Sequence, residues 1–283
     1  MAGKIKYGVQ MFGCSADFRK DTEYFFRTMR EYGYSIIEPC IIFGEDEFRK
    51  NALANGNERA AALCDLVWTE KSAPKFVEDM KKYDLEIVSA HLMGSDYRKM
   101  MPMMKDVAKQ TGLKAYVINI PQQAIDDPDA FIGEIDYCVK ELAEIGVELW
   151  LHNSGNDFRK KIDMDGEEVF VYEYLLNKSH GAYAQVDTGW VMAGKIEPQD
   201  FMKKYIDRLR GIHFKDLNEN FDELGFPKMF AVLGEGRTDV KACMDVEPED
   251  GSIPVYIDQD MPISGDIFAD LKKSIDLLHS LEK

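Results

Sequence analysis

Five short apolar segments in the last two thirds of the chain each end on a side chain that can bind a metal or move a proton. They are His91 in IVSAHL, His152 in VELWLH, Asp187 in YAQVD, His213 in LRGIHFKD and Asp258 in PVYID. Divalent ions such as Mn²⁺, Mg²⁺ or Zn²⁺ accept a mixed set of carboxylate oxygens and imidazole nitrogens, and their open positions can hold substrate oxygens. Such a site polarises a carbonyl and lowers the cost of taking a proton from the carbon beside it, by stabilising the enediolate that forms. Asp187 opens the string DTGW, where an aspartate can equally cap a backbone amide in a turn. His213 follows at the next strand end, with Lys215 and Asp216 directly after it. This chemistry requires the five residues to converge, which the rim of a parallel barrel would achieve.

The elements agree with that requirement. Eight strand-like runs alternate with helical stretches: Ile5–Gln10, Ser35–Pro39, Glu86–His91, Ala115–Ile120, Glu148–Leu151, Ala182–Asp187, Gly211–Phe214 and Pro254–Asp258. This is the pattern of βαβ units. Apolar residues at helical spacing predict helices over Asp21–Tyr32 (Phe25, Met29, Tyr32), Asp129–Ile145 (Phe131, Ile135, Val139, Leu142) and Ile267–Leu281. Pro128 and Pro198 fall where first helical turns begin, and Gly33 and Gly146 where helices end. The expected architecture is a single (β/α)8 barrel domain over residues 1–283. Two long rim loops, Ile41–Glu70 and Leu217–Gly251, are expected to form lids or substrate walls.

Composition narrows the field. With 283 residues, 45% hydrophobic and 30% charged, the chain has the balance of an ordinary soluble protein. No apolar stretch reaches membrane-spanning length, and the start MAGKIKYGVQMF lacks the pattern of a secretory signal, so a cytoplasmic location is expected. Five cysteines without a CxxC pair suggest buried free thiols. A formal charge of −16 argues against nucleic acid as a partner.

Several strings together resemble the sugar-phosphate isomerase/epimerase group with the xylose isomerase-like TIM barrel, which includes tagatose epimerases, hydroxypyruvate isomerases and inosose dehydratases. They are YGVQMF, GYSIIEPC, SAHL, LHNSGNDF, VDTGWVMAGKIEP, GIHFKD, LGEGRTD and VYIDQD, spread nearly end to end. The resemblance implies one divalent metal held by a glutamate on strand five, an aspartate on strand six, a histidine on strand seven and a glutamate on strand eight. Asp187 and His213 match the middle two. Asp258 stands where the group often has glutamate, and His152 where the strand-five glutamate would be; Asp157 could return a carboxylate from the following loop. The group's epimerases use the outer carboxylates as opposed acid and base. A metal-bound imidazole is a poor base, which argues against symmetric two-base chemistry here.

His91, Glu38 and Lys215 are then the alternative acid/base candidates, each at or just past a strand end. His91 could instead be a hydrogen-bonded histidine of the barrel mouth, and Glu38 could orient a metal ligand without touching the ion, the preferred reading for it. Lys215 could pair with rim carboxylates, which is favoured over a Schiff-base role. Arg237 could reach a substrate oxygen or be a solvated loop residue. Phe12, Trp150 and Trp190 could wall the pocket or pack between strand and helix. Met100, Met101, Met103 and Met104 form an adaptable hydrophobic patch, with a subunit contact as one use; the resemblance, separately, implies a homo-oligomer.

The expectation is a metal-dependent isomerase or epimerase of a small sugar or keto-polyol. A lyase dehydrating a keto-cyclitol is the alternative, and a non-catalytic carbohydrate-binding barrel is the reading from a different class. A DNA-repair endonuclease of the same fold needs more histidines than the 5 present.

Overall fold

The computed structural model describes residues 5–248 and 250–282. Eight parallel strands form a cylinder: β1 (Tyr7–Gln10), β2 (Ile36–Glu38, resuming as Cys40–Ile42), β3 (Ser89–Met93), β4 (Ala115–Asn119), β5 (Glu148–His152), β6 (Tyr183–Asp187), β7 (Leu209–Phe214) and β8 (Val255–Ile257). Pro39 splits β2 because it has no N–H to donate. Met11 N still donates to Glu38 O and His91 N to Pro39 O, so both edges of β2 stay paired. The circuit closes through Val9 opposite Ile37, Ile36 bridged to Glu86, Cys40 opposite His91, and Tyr7 opposite Val255. Closure removes sheet edges and turns every second side chain inward.

Helices cover the outside: α1 (Thr22–Tyr32), α2 (Ala73–Lys81), α3 (Tyr97–Thr111), α4 (Pro128–Ala143), α5 (Val171–Lys178), α6 (Pro198–Lys204), α7 (Val240–Met244) and α8 (Ile267–Leu281). Asp21 caps α1 by accepting from Tyr24 N, and Pro128 and Pro198 occupy first-turn positions in α4 and α6. The apolar stripes read from the sequence are the faces that pack on the cylinder, including Phe25 and Met29 of α1 and Phe131, Ile135 and Leu142 of α4, all buried. Met100, Met101 and Met104 are buried on the inner face of α3. They pack in the core; Met103 alone of the four is only partly buried. No helix among the described residues is long and apolar enough to cross a membrane. All five cysteines are free and buried.

Interior crowding selects glycine at two strand positions. A Cβ on Gly8 would lie 2.5 Å from the Tyr256 ring, and one on Gly211 would lie 3.1 Å from both Gln185 and Trp150. Those two absences let Tyr256, Gln185 and Trp150 fill the cylinder beneath the rim. Trp150 is therefore an interior packing residue and not a pocket wall; its Nε1 donates to Glu148 Oε2.

The long segments carry structure of their own. Residues 41–70 fold into helices Glu45–Ala54 and Glu58–Leu63 and a short strand Trp68–Thr69 that pairs beside Ile41. In 217–251, Leu217 pairs antiparallel with Phe230, and the Asp216 carboxylate gathers the N–H groups of Leu217, Gly234, Gly236 and Thr238. A hairpin of Lys161–Met164 and Glu167–Phe170 precedes α5. Its turn carries Asp165 and Gly166 at positive φ, the Asp-Gly signal of a two-residue hairpin loop.

Candidate metal centre

The ends of β5, β6, β7 and β8 bring His152, Asp187, His213 and Asp258 together, all buried, with one ligand atom from each lying within 4.8 Å of the others. Strand register does this. Asp187 is opposite His213 across β6 and β7, and Gln185 is opposite His152 across β5 and β6.

The hydrogen bonds show which atoms are committed. Asp187 Oδ1 accepts from Trp190 N, so this aspartate caps the turn as well as facing the cluster, and its backbone N–H and C=O are held by the Asn153 amide. His213 Nε2 lies 2.6 Å from Glu38 Oε2, and its Nδ1 lies 3.2 Å from Asp258 Oδ2. Glu38 Oε1 accepts from Ser89 Oγ and from Gln185 Nε2. Left without a hydrogen-bond partner are both ring nitrogens of His152, Asp187 Oδ2 and Asp258 Oδ1. Buried polar atoms in native proteins are almost always satisfied. Four orphans from three residues of one cluster match a set of donor atoms facing a cation. A divalent ion would fit these residues, with His213 giving up its Nδ1 proton to offer that nitrogen while Glu38 holds the ring through Nε2. An overlapping trio of His91, His152 and His213 also has suitable spacing. It fits less well, because the Nε2 atoms of His91 and His213 are engaged by Gln185 and Glu38.

Lys215, just past β7, is buried with its Nζ 2.8 Å from Asp260 Oδ2, 3.0 Å from Asp258 Oδ2 and 3.3 Å from Asp187 Oδ2. Burial alone would lower its pKa, but the three carboxylates outweigh this and hold it well above the usual value. Burial also works against charge on Asp258, yet Lys215 and His213 keep that carboxyl well below the usual range. The same desolvation opposes a charged His213, and the Glu38 and Asp258 carboxylates outweigh it, raising the ring to about 10. Glu38 is held at about 2 despite its burial, chiefly by His213 and His91. Burial pushes His91 down to about 3 and His152 well below the ordinary histidine value, leaving both rings neutral.

No protein-family model and no curated protein sequence matches this chain. Solved structures do. A sugar phosphate isomerase/epimerase from Parabacteroides distasonis is 19% identical over 99% of this chain and 95% of its own, with a TM-score of 0.72. A xylose isomerase domain protein from Planctomyces limnophilus is 13% identical over 99% of this chain and 98% of its own, at TM-score 0.66. The probable 3-DHS dehydratase AsbF from Bacillus anthracis is 14% identical over 97% and 99%, at TM-score 0.64. The fold is the xylose isomerase-like TIM barrel.

In this xylose isomerase-like barrel the remaining candidates are spread unevenly. His91 stands beside His152 and His213 with ring centroids 4.8 and 5.4 Å away. Trp190 lies at the edge of the cluster, its ring 5.2 Å from Lys215 Nζ and edge-on to Phe230. Phe12 is partly buried and packs, as do Phe48, Leu63 and Met93, against a small cluster that includes Cys40 and Ile42. Arg237 is exposed over the Phe221 ring and makes no contact with the cluster among the described residues. Asp157 is buried, with its two carboxylate oxygens accepting from Ser154 N and Ser154 Oγ. Gln185, Ser89 and Asp260 were missed. Each lies two residues from a named candidate, on the same face of its strand or strand extension, so the period of two contained the signal.

Proposed function

We propose that this chain is an enzyme that holds one divalent cation at His152, Asp187, His213 and Asp258 and isomerises or epimerises a small neutral keto-sugar or keto-polyol by moving a proton beside the carbonyl. The observation that carries the reading is the group of orphaned buried donor atoms at the ends of β5, β6 and β8. A bound ion would serve as the Lewis acid that polarises the substrate carbonyl.

The chain's own residues supply the proton handling. Glu38, as a carboxylate, only accepts, so Gln185 must present its Nε2 to Glu38 and its Oε1 to His91 Nε2 at 2.9 Å. That sets the hydrogen on His91 Nε2 and leaves Nδ1 as an acceptor, and we assign His91 the proton-accepting role on this geometry, against the low basicity that burial gives the ring in the ion-free site. Lys215 supplies a fixed positive charge next to the same cluster. Glu38, Asp187, Asp258 and Asp260 give the site four carboxyls, and Lys215 is already shared among three of them. A phosphorylated substrate would meet this surplus of acids, so a neutral carbohydrate or cyclitol is the expected partner.

One feature favours a second reading, dehydration. His152 replaces the carboxylate that opposed two-base exchange would need, leaving His91 as a lone acceptor, and one of the similar structures is a probable dehydratase. The test is incubation with neutral ketoses and keto-cyclitols in deuterated water. Ion-dependent uptake of label beside the carbonyl, abolished by chelator and by His91→Asn, supports the isomerase. A conjugated product absorbing in the ultraviolet moves the assignment to a lyase. Sugar binding without label uptake or product would leave a carbohydrate-binding barrel.

A further inference from the structure

We infer that this centre is built for a nitrogen-preferring divalent ion such as Zn²⁺ or Co²⁺ and discriminates against Mg²⁺, and that His152 sets the preference. The inference rests on the metal-centre reading proposed above. Two observations carry it. The first is the donor set. Two imidazoles and two carboxylates face one another at the ends of β5 to β8. Mg²⁺ takes oxygen donors and dehydrates reluctantly, whereas imidazole adds affinity for Zn²⁺, Co²⁺ and Ni²⁺. His152 is the donor that tips the set. It is buried, neither ring nitrogen has a partner, its Nε2 is 3.7 Å from Asp187 Oδ2, and its ring stands edge-on to His213 at 4.9 Å.

The second observation is Lys215. Its ammonium lies 3.3 Å from Asp187 Oδ2 and 3.0 Å from Asp258 Oδ2, so both carboxylates of the donor set are already partly neutralised by an internal cation. A hard ion draws its affinity from carboxylate charge and loses most by sharing it. An ion bound largely through imidazole nitrogen loses less. The buried lysine and the strand-five histidine therefore bias the site in the same direction.

The test uses the full chain, stripped with chelator and checked for retained circular dichroism. Zn²⁺ is titrated against a chromophoric chelator, and Mn²⁺ and Mg²⁺ are titrated by calorimetry. The expected result is stoichiometric Zn²⁺ binding that millimolar Mg²⁺ does not displace. His152→Glu is expected to move the Zn²⁺ to Mn²⁺ affinity ratio toward Mn²⁺ by at least about tenfold. His152→Gln, closer to imidazole in size, should move it the same way and covers the case in which the glutamate variant does not fold. Equal wild-type affinity for Zn²⁺ and Mg²⁺, or an unchanged ratio in both His152 variants, would overturn the inference while leaving the metal centre standing. Failure of the wild-type protein to bind any of the three ions would remove the metal centre itself.

Discussion

Lys215 is buried among Asp187, Asp258 and Asp260, and removing its charge would leave those carboxyls facing one another. Lys215→Met is expected to destabilise the ion-free protein by about 3–5 kcal/mol. Thermal melts with and without chelator check this, and a divalent ion should restore more stability to the variant than it adds to the wild type. Glu38→Gln tests a different link. It replaces the carboxylate that holds His213 Nε2 and the Gln185 amide, without removing any proposed ligand. Ion affinity is expected to fall about 10–100-fold with the fold intact, read by chelator competition. Asp157 provides the pH test. Burial raises its folded pKa to about 7, above the ordinary carboxylate value. The stability it contributes is complete below about pH 4 and is lost as pH rises through its folded value. Urea midpoints of the wild type should fall between pH 5 and 8 relative to Asp157→Asn.

Among the elements, the strand ends were legible and the loops were not. His152, Asp187, His213 and Asp258 each close an apolar run, and alternation along a strand fixes which face they share. The partners Gln185, Ser89 and Asp260 obey the same alternation but look like ordinary polar residues until the cylinder closes. Asp216 shows the converse. Its place in HFKD suggested chemistry nearby, yet its carboxylate is spent on four backbone N–H groups that shape residues 217–238. Asp216→Ala is expected to cost about 3 kcal/mol or more, because charge-assisted bonds to buried amides are lost together. Limited proteolysis should then cut in 217–238 before the barrel unfolds. The sequence predicts residues 41–70 as a rim loop with an amphipathic centre; that centre folds into helices, of which Glu45–Ala54 buries none of its residues and so carries little apolar periodicity.

For the whole molecule, closure of the cylinder is the decisive event, and Gly8 reports on it. With Tyr256 and Ile36 2.5 and 2.6 Å from a built Cβ, Gly8→Ala should destabilise by about 1–3 kcal/mol through overpacking, seen in denaturant melts. The amino-acid sequence by itself determined the alternation of strands and helices, the helix caps and the four strand-end residues at the mouth, because hydrophobic periodicity and capping are local properties. Only the tertiary structure decided which of the remaining candidates share the site. It drew Glu38, Gln185 and His91 into one hydrogen-bonded chain, lodged Lys215 among three carboxyls, turned Trp150 into the interior and left Arg237 exposed. Those outcomes depend on register and curvature across strands far apart in the chain, and no local pattern records them.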